Sequence, residues 1–304
     1  MDDPASPTQR RIAELVGACS IELSPRDEFA GPRLRDVLDP GTTVFVNSPP
    51  SATHDDIVAA CAQLRRAGFV VVPHVVARQL AGFTDASDFL RRVAEEAGVT
   101  QVLLLGGDTP RPVGPFHSAL ALLSTGLVER HGIAAVAFAG YPEGHPQIDS
   151  GVLHAALLAK LEIARQRGLA TSLVTQFGFE APPIRRWIAA RHAEGIACPI
   201  RIGLAGPASV ATLAKYAVRC GIGASLRALA RGHAAIARIL TEANPDALID
   251  TLVTGEDQAA PIDGLHIFTF GGAGRTAAWR EAVARSTNSI PPPLEGLGRE
   301  ADQG

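Results

Sequence analysis

Six short apolar runs in the sequence are each followed by a polar residue that can donate, accept or transfer a proton. These residues are Glu22, Asn47, His74, Asp108, Tyr141 and Gln176. Carboxyl and imidazole groups suit general acid–base catalysis, and amides and phenols suit hydrogen bonding to a polar ligand. Because all six stand at the same place relative to successive runs, we interpret them as candidates for one shared site.

The apolar runs have the composition of buried parallel strands. Most are nearly continuous stretches of β-branched residues or leucine, as strands covered on both faces require. We predict eight strands, over residues 18–22, 43–47, 69–74, 101–105, 134–139, 172–176, 200–204 and 264–270.

Segments of helical periodicity separate these strands. They cover residues 55–67, 85–97, 152–167, 207–218, 225–240 and 245–252. Threonines and serines at 51–53 and 84–87 supply candidate N-caps, and Gly68 and Gly168 stand where helices are expected to end. Repeated strand–helix units predict parallel strands with right-handed crossovers.

Eight such units predict a (β/α)8 TIM barrel, an α/β fold that needs about 250 residues. We expect a single domain over residues 1–288, with an N-terminal extension, and a loosely ordered Gly/Pro-rich tail over 289–304. An open doubly wound sheet with an added lobe is the alternative. In a barrel the active site forms at the C-terminal ends of the strands, where the six polar residues would meet.

Composition excludes several classes of partner. The net charge of −3 gives no general basic field for nucleic acid or an anionic membrane. The apolar runs are too short to cross a bilayer, and the acidic N-terminus does not resemble a secretory signal. The cysteines form no CxxC pair, which favours reduced thiols in the cytoplasm. They are Cys19, Cys61, Cys198 and Cys220.

Five segments carry a resemblance to methylenetetrahydrofolate reductases. Residues 20–25 (SIELSP) resemble the first-strand segment of that family, and residues 106–110 (GGDTP) resemble its fourth-strand RGD-x-P turn. Residues 139–146 (AGYPEGHP) are similar to its A-x-Y-P-E-x-H-P loop, and residues 175–180 (TQFGFE) to its T-Q-F-F-F-D strand end. Residues 216–217 (Tyr-Ala) match a phenylalanine–alanine pair after strand seven.

The resemblance implies reduction of 5,10-methylenetetrahydrofolate to 5-methyltetrahydrofolate with NADH or NADPH. The methylene carbon accepts hydride poorly until a proton opens the five-membered ring and leaves an iminium ion. A carboxyl group with a pKa raised by burial can supply that proton, and we assign this role to Glu22. Asp108 would stabilise the iminium charge. Gln176, Tyr216 and Arg275 would bind the substrate, Arg275 through the folate tail or a phosphate.

The resemblance also implies residues that contact a bound FAD. They are Asn47, His74, Tyr141, His145, His154 and Lys160. The match departs at Gly106, where flavin-containing members carry an arginine that contacts the flavin. Two interpretations follow: FAD is bound through altered contacts, or hydride passes directly from the nicotinamide to the folate. The sequence contains no GxGxxG motif after a strand, so no Rossmann nicotinamide site is predicted.

Other functions and other roles are compatible with the same residues. The chain could reduce another pterin carrier or use a deazaflavin, transfer a methyl group or bind folate without redox chemistry, or be a silent barrel. A homo-oligomer is compatible with each. Structurally, Glu22 could pair with Arg26 or Arg78, and Asp108 could cap its own turn. His145 and His154 lack a third ligand at metal-binding spacing, so no metal is expected.

Overall fold

Eight parallel strands form a closed barrel in which each strand pairs with its neighbours in sequence. The structure is a computed structural model that describes residues 6–27, 32–220, 244–255 and 260–288. The strands are β1 Ser20–Leu23, β2 Thr43–Val46, β3 Val70–Val76, β4 Gln101–Leu105, β5 Ala135–Gly140, β6 Ala170–Thr175, β7 Ile200–Ala205 and β8 Gly264–Phe268. All eight predicted strands, and with them the predicted TIM barrel, are confirmed.

Helices surround the barrel. They are α1 Pro7–Gly17, α2 His54–Arg66, α3 Phe83–Glu95, α4 Ala119–Leu123, α5 Leu127–Arg130, α6 Ser150–Gln166, α7 Ala181–Ala193, α8 Val210–Arg219, α9 Asp246–Thr254 and α10 Ala273–Asn288, with short 3₁₀ helices at Pro32–Asp36 and Ala77–Gln79. Five of the six predicted helices are confirmed. The predicted helix over 225–240 and the predicted tail over 289–304 lie outside the described residues.

Strand alternation separates an interior from an outer core. Inside the barrel, β2 to β6 each contribute one apolar side chain, namely Phe45, Val72, Leu103, Ala137 and Val174. Neighbouring strand residues pack outward beneath the helices in a much larger cluster. Because side chains alternate along a strand, the interior of a small barrel is filled by layers of this kind.

Helix α1 forms the predicted N-terminal extension and lies against α9 and α10. The Arg11 guanidinium donates to the carbonyl oxygen of Ile262 at 2.7 Å, just before β8. The Arg280 guanidinium donates to the carbonyl oxygen of Gly17 at 2.7 Å, just before β1. These contacts hold α1 at the N-terminal end of the barrel and leave the opposite end for the candidate site.

The helix boundaries follow local capping chemistry. Thr53 caps α2 in a capping box, and Gly68 and Gly168, with φ of 91° and 67°, follow the helix ends as predicted. The predicted cap within 84–87 is wrong, because α3 begins at Phe83. The Asp85 carboxylate instead accepts a hydrogen bond from the backbone N–H of Ala81 at 2.8 Å, before the helix.

Gly203 in β7 occupies a position where a methyl group has no space. A Cβ atom there would collide with the carbonyl oxygen of Thr175 and lie 2.9 Å from the Phe268 ring. We expect Gly203→Ala to lower the free energy of unfolding by about 2 kcal/mol or more, measured by urea denaturation. The control is Gly17→Ala, whose added methyl meets no atom within 4 Å. Equal stability of the two variants would contradict this packing.

Candidate active site at the barrel mouth

Glu22 in β1 is the centre of a polar cluster inside the barrel. Its Oε2 atom lies 3.3 Å from Nε2 of His74 and 3.7 Å from Nε2 of His266. The side-chain amide of Asn47 donates to its Oε1 atom at 3.2 Å. Glu22 is only 13% exposed, and its neighbours Ile21 and Leu23 point outward into the main core. We call Glu22, Asn47, His74 and His266 the carboxylate cluster.

Ser20 orients one of these histidines. It is fully buried in β1, and its hydroxyl lies 3.0 Å from Nδ1 of His266 and 3.3 Å from the carbonyl oxygen of Leu265. The hydroxyl donates to that carbonyl oxygen, which can only accept, and its contact with Nδ1 orients the His266 ring. Nε2 of the ring then faces the carboxylate of Glu22.

The carboxylate cluster stabilises the negative charge of Glu22, which burial disfavours. Burial alone would raise the pKa of Glu22, but electrostatic attraction to His74 and His266 and a hydrogen bond from Asn47 outweigh it, and the pKa is lowered. The expectation of a raised pKa is therefore wrong for the ligand-free protein. Burial lowers the pKa of His74, which favours its neutral imidazole. The carboxylate and the two imidazoles form a unit that can exchange a proton.

An aromatic wall lies beside the cluster. It consists of Phe177, Phe179, Tyr216, Phe268 and Phe270. The Tyr216 ring stacks on Phe270 with centroids 4.0 Å apart and an interplanar angle of 15°. Phe268 connects the wall to the cluster, since its ring centroid lies 4.8 Å from that of His266. Such a surface suits the face of a planar heterocycle.

Gln176 stands at the end of β6, next to the wall. Its side-chain oxygen accepts a hydrogen bond from the backbone N–H of Phe177 at 3.0 Å. Within the part of the chain that the structure describes, its amide NH₂ group has no hydrogen-bond partner. That group is a donor that a ligand in the mouth could use.

Asp108, Tyr141 and His145 form a second polar group on the β4–β5 side. Asp108 is exposed in the turn after β4. Burial and the negative charge of Asp108 raise the pKa of Tyr141 to about 12. Burial lowers the pKa of His145, and Asp108 opposes that shift. The rings of Tyr141 and His145 meet edge to face, with centroids 5.3 Å apart.

The structure does not bring Lys160 and His154 to the mouth. The Lys160 amine lies 4.9 Å above the ring of Phe138, a β5 residue that packs into the outer core. His154 lies in the helical layer, with Nδ1 3.8 Å from a carboxylate oxygen of Glu194 at the end of α7. Arg275 is exposed in the first turn of α10, after β8. Residues on strands and strand ends, together with Tyr216 of α8, therefore assemble the site, and the two α6 residues do not.

Four residues of the site, Ser20, His266, Phe268 and Phe270, are not among the candidates predicted from the sequence. The last three alternate within the predicted strand over 264–270, which places them on one face. The candidates predicted on strands were polar residues at the strand ends, whereas His266 lies inside its strand. Period-two alternation in the last strand was the signal that could have found it.

The described part of the chain contains neither a metal-ligand group nor a candidate membrane span. No three His, Cys, Asp or Glu side chains there are grouped as metal ligands. No described helix combines the length and hydropathy that a membrane span needs.

No family model matches the chain. A Clostridium thermocellum protein described as binding two copies of 5-methyl-5,6,7,8-tetrahydrofolic acid is similar over 94% of this chain and 100% of that chain, with TM-score 0.56 and 12% identity. Dihydropteroate synthases from Yersinia pestis and Thermus thermophilus cover 90% and 89% of this chain and 95% and 92% of their own, with TM-scores of 0.46 and identities of 12% and 15%. At these identities the likeness shows the barrel fold alone.

The burial of Lys160 in the helical layer can be tested through the pH dependence of the thermal stability. Burial lowers its pKa to about 8, so below pH 8 the folded protein holds a poorly hydrated ammonium group. Above about pH 10.4, the pKa of an exposed lysine, neither state carries that charge. Lys160→Met should therefore raise Tm by about 2–4 °C at pH 7, and the difference should shrink as the pH rises from 8 to 10.

Thermal unfolding followed by circular dichroism at pH 7, 9 and 10 measures this effect. The control is Lys215→Met on α8, since Lys215 is exposed and its effect on Tm should not vary in this way. A lower Tm for Lys160→Met at pH 7 would show that the amine stabilises the fold.

Proposed function

We propose that the chain reduces the one-carbon unit of a folate, converting 5,10-methylenetetrahydrofolate to 5-methyltetrahydrofolate with NADH or NADPH. The observation that supports this most directly is the carboxylate cluster of Glu22, His74 and His266 beside an aromatic wall. Ring opening needs a proton donor next to a site for a planar heterocycle, and these two features lie side by side at the mouth.

The proton that opens the folate ring is delivered by Glu22 within the carboxylate cluster. In the free protein Glu22 is ionised because the histidines and Asn47 stabilise its charge. A pterin bound over Glu22 would exclude water and raise its pKa, which favours uptake of a proton from solvent by the carboxyl as the ligand binds. The protonated carboxyl then donates to one nitrogen of the methylene bridge, the carbon–nitrogen bond breaks, and an iminium ion forms. Hydride from the nicotinamide reduces that carbon, and solvent reprotonates the cluster.

The other mouth residues have matching roles in this proposal. The carboxylate of Asp108 stabilises the iminium charge. The free amide NH₂ of Gln176 hydrogen bonds to the pterin edge. Tyr216, already stacked on Phe270, provides a flat surface for an aromatic part of the substrate.

The residues implied to hold FAD do not fit that cofactor well here. Asn47 and His74 contact Glu22, and His154 and Lys160 lie in the helical layer. Only Tyr141 and His145, of the six, remain beside the mouth without another such role. These positions favour direct hydride transfer from the nicotinamide, and no step is assigned to a flavin.

The Clostridium thermocellum barrel gives limited support. That protein is described as binding 5-methyl-5,6,7,8-tetrahydrofolic acid, which is the product proposed for this chain. At 12% identity it supports only the compatibility of such a barrel with this ligand.

The absorption spectrum of the purified protein tests the choice of electron carrier. We expect no flavin bands, and anaerobic oxidation of NADH or NADPH only when methylenetetrahydrofolate is present. Added FAD should not change the rate. A stoichiometric flavin spectrum would overturn direct transfer, and the absence of oxidation with and without FAD would reject the reductase in favour of a non-redox folate protein.

Glu22→Gln tests the proton donor. The amide keeps the size of the side chain but cannot give up a proton to the bridge, so turnover should be abolished. Folate affinity should stay within about tenfold of wild type, about 1.4 kcal/mol. Steady-state rates and a folate titration measure the two effects.

The matched control is Glu95→Gln on α3, where the carboxylate is exposed and pairs with Arg91. This variant should keep wild-type rates. Near-normal turnover by Glu22→Gln would reject the assigned role.

A further inference from the structure

We propose that Arg78 and Thr109 form an oxyanion-binding subsite on the β3–β4 side of the mouth. The subsite takes either the phosphates of the nicotinamide dinucleotide or the carboxylates of the folate tail. The identity of these ligands rests on the proposed function, whereas the subsite itself rests on the packing of two loops.

Arg78 is a half-buried cation without a side-chain partner among the described residues. It follows β3, and its backbone N–H donates to the carbonyl oxygen of Gly106 at 3.0 Å. Its Nε atom is shielded from solvent and has no hydrogen-bond partner in the described part of the chain. Among the described residues no carboxylate lies within ion-pair distance: Arg26 pairs with Asp56 at 2.9 Å, and Glu22 is held by the histidines. A shielded guanidinium donor without an acceptor is costly unless a ligand satisfies it.

The turn after β4 packs tightly at one glycine and borders open space at the one before it. Gly107 has φ of 100°, and a Cβ atom there would collide with Val76 and lie 3.6 Å from Cβ of Arg78. At Gly106 a Cβ atom would meet nothing within 4 Å. The turn is therefore held close to the Arg78 segment at Gly107 and leaves open space at Gly106.

The same turn carries a second polar atom without a partner. The hydroxyl of Thr109 is also shielded from solvent and makes no hydrogen bond to any residue that the structure describes. The loop is fixed to the Arg78 segment, since the backbone N–H of Val113 donates to the carbonyl oxygen of Arg78 at 2.9 Å. Arg111, which is exposed two residues after Thr109 in the same loop, adds positive charge.

The neighbouring acid acts on another side of the mouth. Burial, and with it the charge of Asp108, raises the pKa of Tyr141 and of Cys220, which directly follow β5 and α8. The carboxylate of Asp108 therefore lies toward those residues. The guanidinium of Arg78 and the hydroxyl of Thr109 lie on the β3 side. A planar guanidinium binds carboxylate or phosphate through two parallel hydrogen bonds, and a hydroxyl can donate a third.

The test is direct binding by Arg78→Met, Arg78→Lys and Thr109→Val. Titration calorimetry should use NADH, 5-methyltetrahydrofolate and its analogue without the glutamate tail. If the subsite binds phosphate, Arg78→Met should weaken NADH binding at least about tenfold. If it binds the tail, the folate should lose about tenfold and the analogue should not. Arg78→Lys should be intermediate because it keeps the charge without the planar fork.

The control is Arg186→Met on α7, where the side chain is exposed; its affinities should stay within about twofold of wild type. Unchanged affinity of Arg78→Met for every ligand would overturn the subsite. If the wild type binds neither NADH nor folate, the proposed function fails, and titration with inorganic pyrophosphate still decides the subsite. Binding that Arg78→Met weakens about tenfold would support it, and equal or absent binding would overturn it.

Ligand-free stability separates a binding role from a structural one. Because the Nε atom and the hydroxyl have no partners among the described residues, Arg78→Met and Thr109→Val remove no side-chain hydrogen bond seen in that part of the free protein. Their Tm should equal or exceed that of the wild type, while the rise in Tm caused by the ligand should become smaller. A clear loss of Tm without ligand would show that Arg78 is structural and would overturn the proposal.

Discussion

A carboxylate placed inside an apolar barrel is the constraint on which the mouth depends. The layer of Phe45, Val72, Leu103, Ala137 and Val174 offers no polar partner to Glu22. An ionised group there is stable only if neighbouring side chains replace the water that it has lost. β3 and β8 supply an imidazole each, and the end of β2 supplies an amide, so strands on both sides of β1 share the charge. Truncating any one of these partners leaves the carboxylate less compensated.

The fold could be predicted from the sequence because strand burial leaves a simple pattern. Buried parallel strands are apolar throughout, and eight of them alternating with helices have few arrangements other than a closed barrel. The charge state of Glu22 could not be predicted in the same way. It depends on His266, whose orientation is set by Ser20, 246 positions away in the chain. Such a contact follows from barrel closure between β1 and β8, and local patterns do not contain it.

Strand residues were easier to place than helix residues for a geometric reason. In a barrel the end of every strand opens on the same mouth, so a polar residue at that position points to the site with little further information. A helix residue reaches the mouth only if the rotation of its helix directs it there. In α6, apolar Val152 and Leu158 are exposed while Lys160 is largely covered, so the pattern did not reveal which face is inward. The resemblance implied that Lys160 and His154 contact a cofactor. The rotation of α6 instead places them in the helical layer.

Different strands contribute different chemical groups to the mouth of the barrel. β1, β3 and β8 carry the carboxylate and the imidazoles, the ends of β6 and β8 with α8 carry the aromatic wall, and the β3–β4 loops carry a cation without a partner among the described residues. Under the proposed function, a pterin on the aromatic wall would bring its methylene bridge beside Glu22, because Phe268 and His266 are in contact. A negatively charged part of either substrate would be repelled by Glu22 and Asp108 and attracted toward Arg78. The order of residues around the barrel would then orient the ligand before any conformational change.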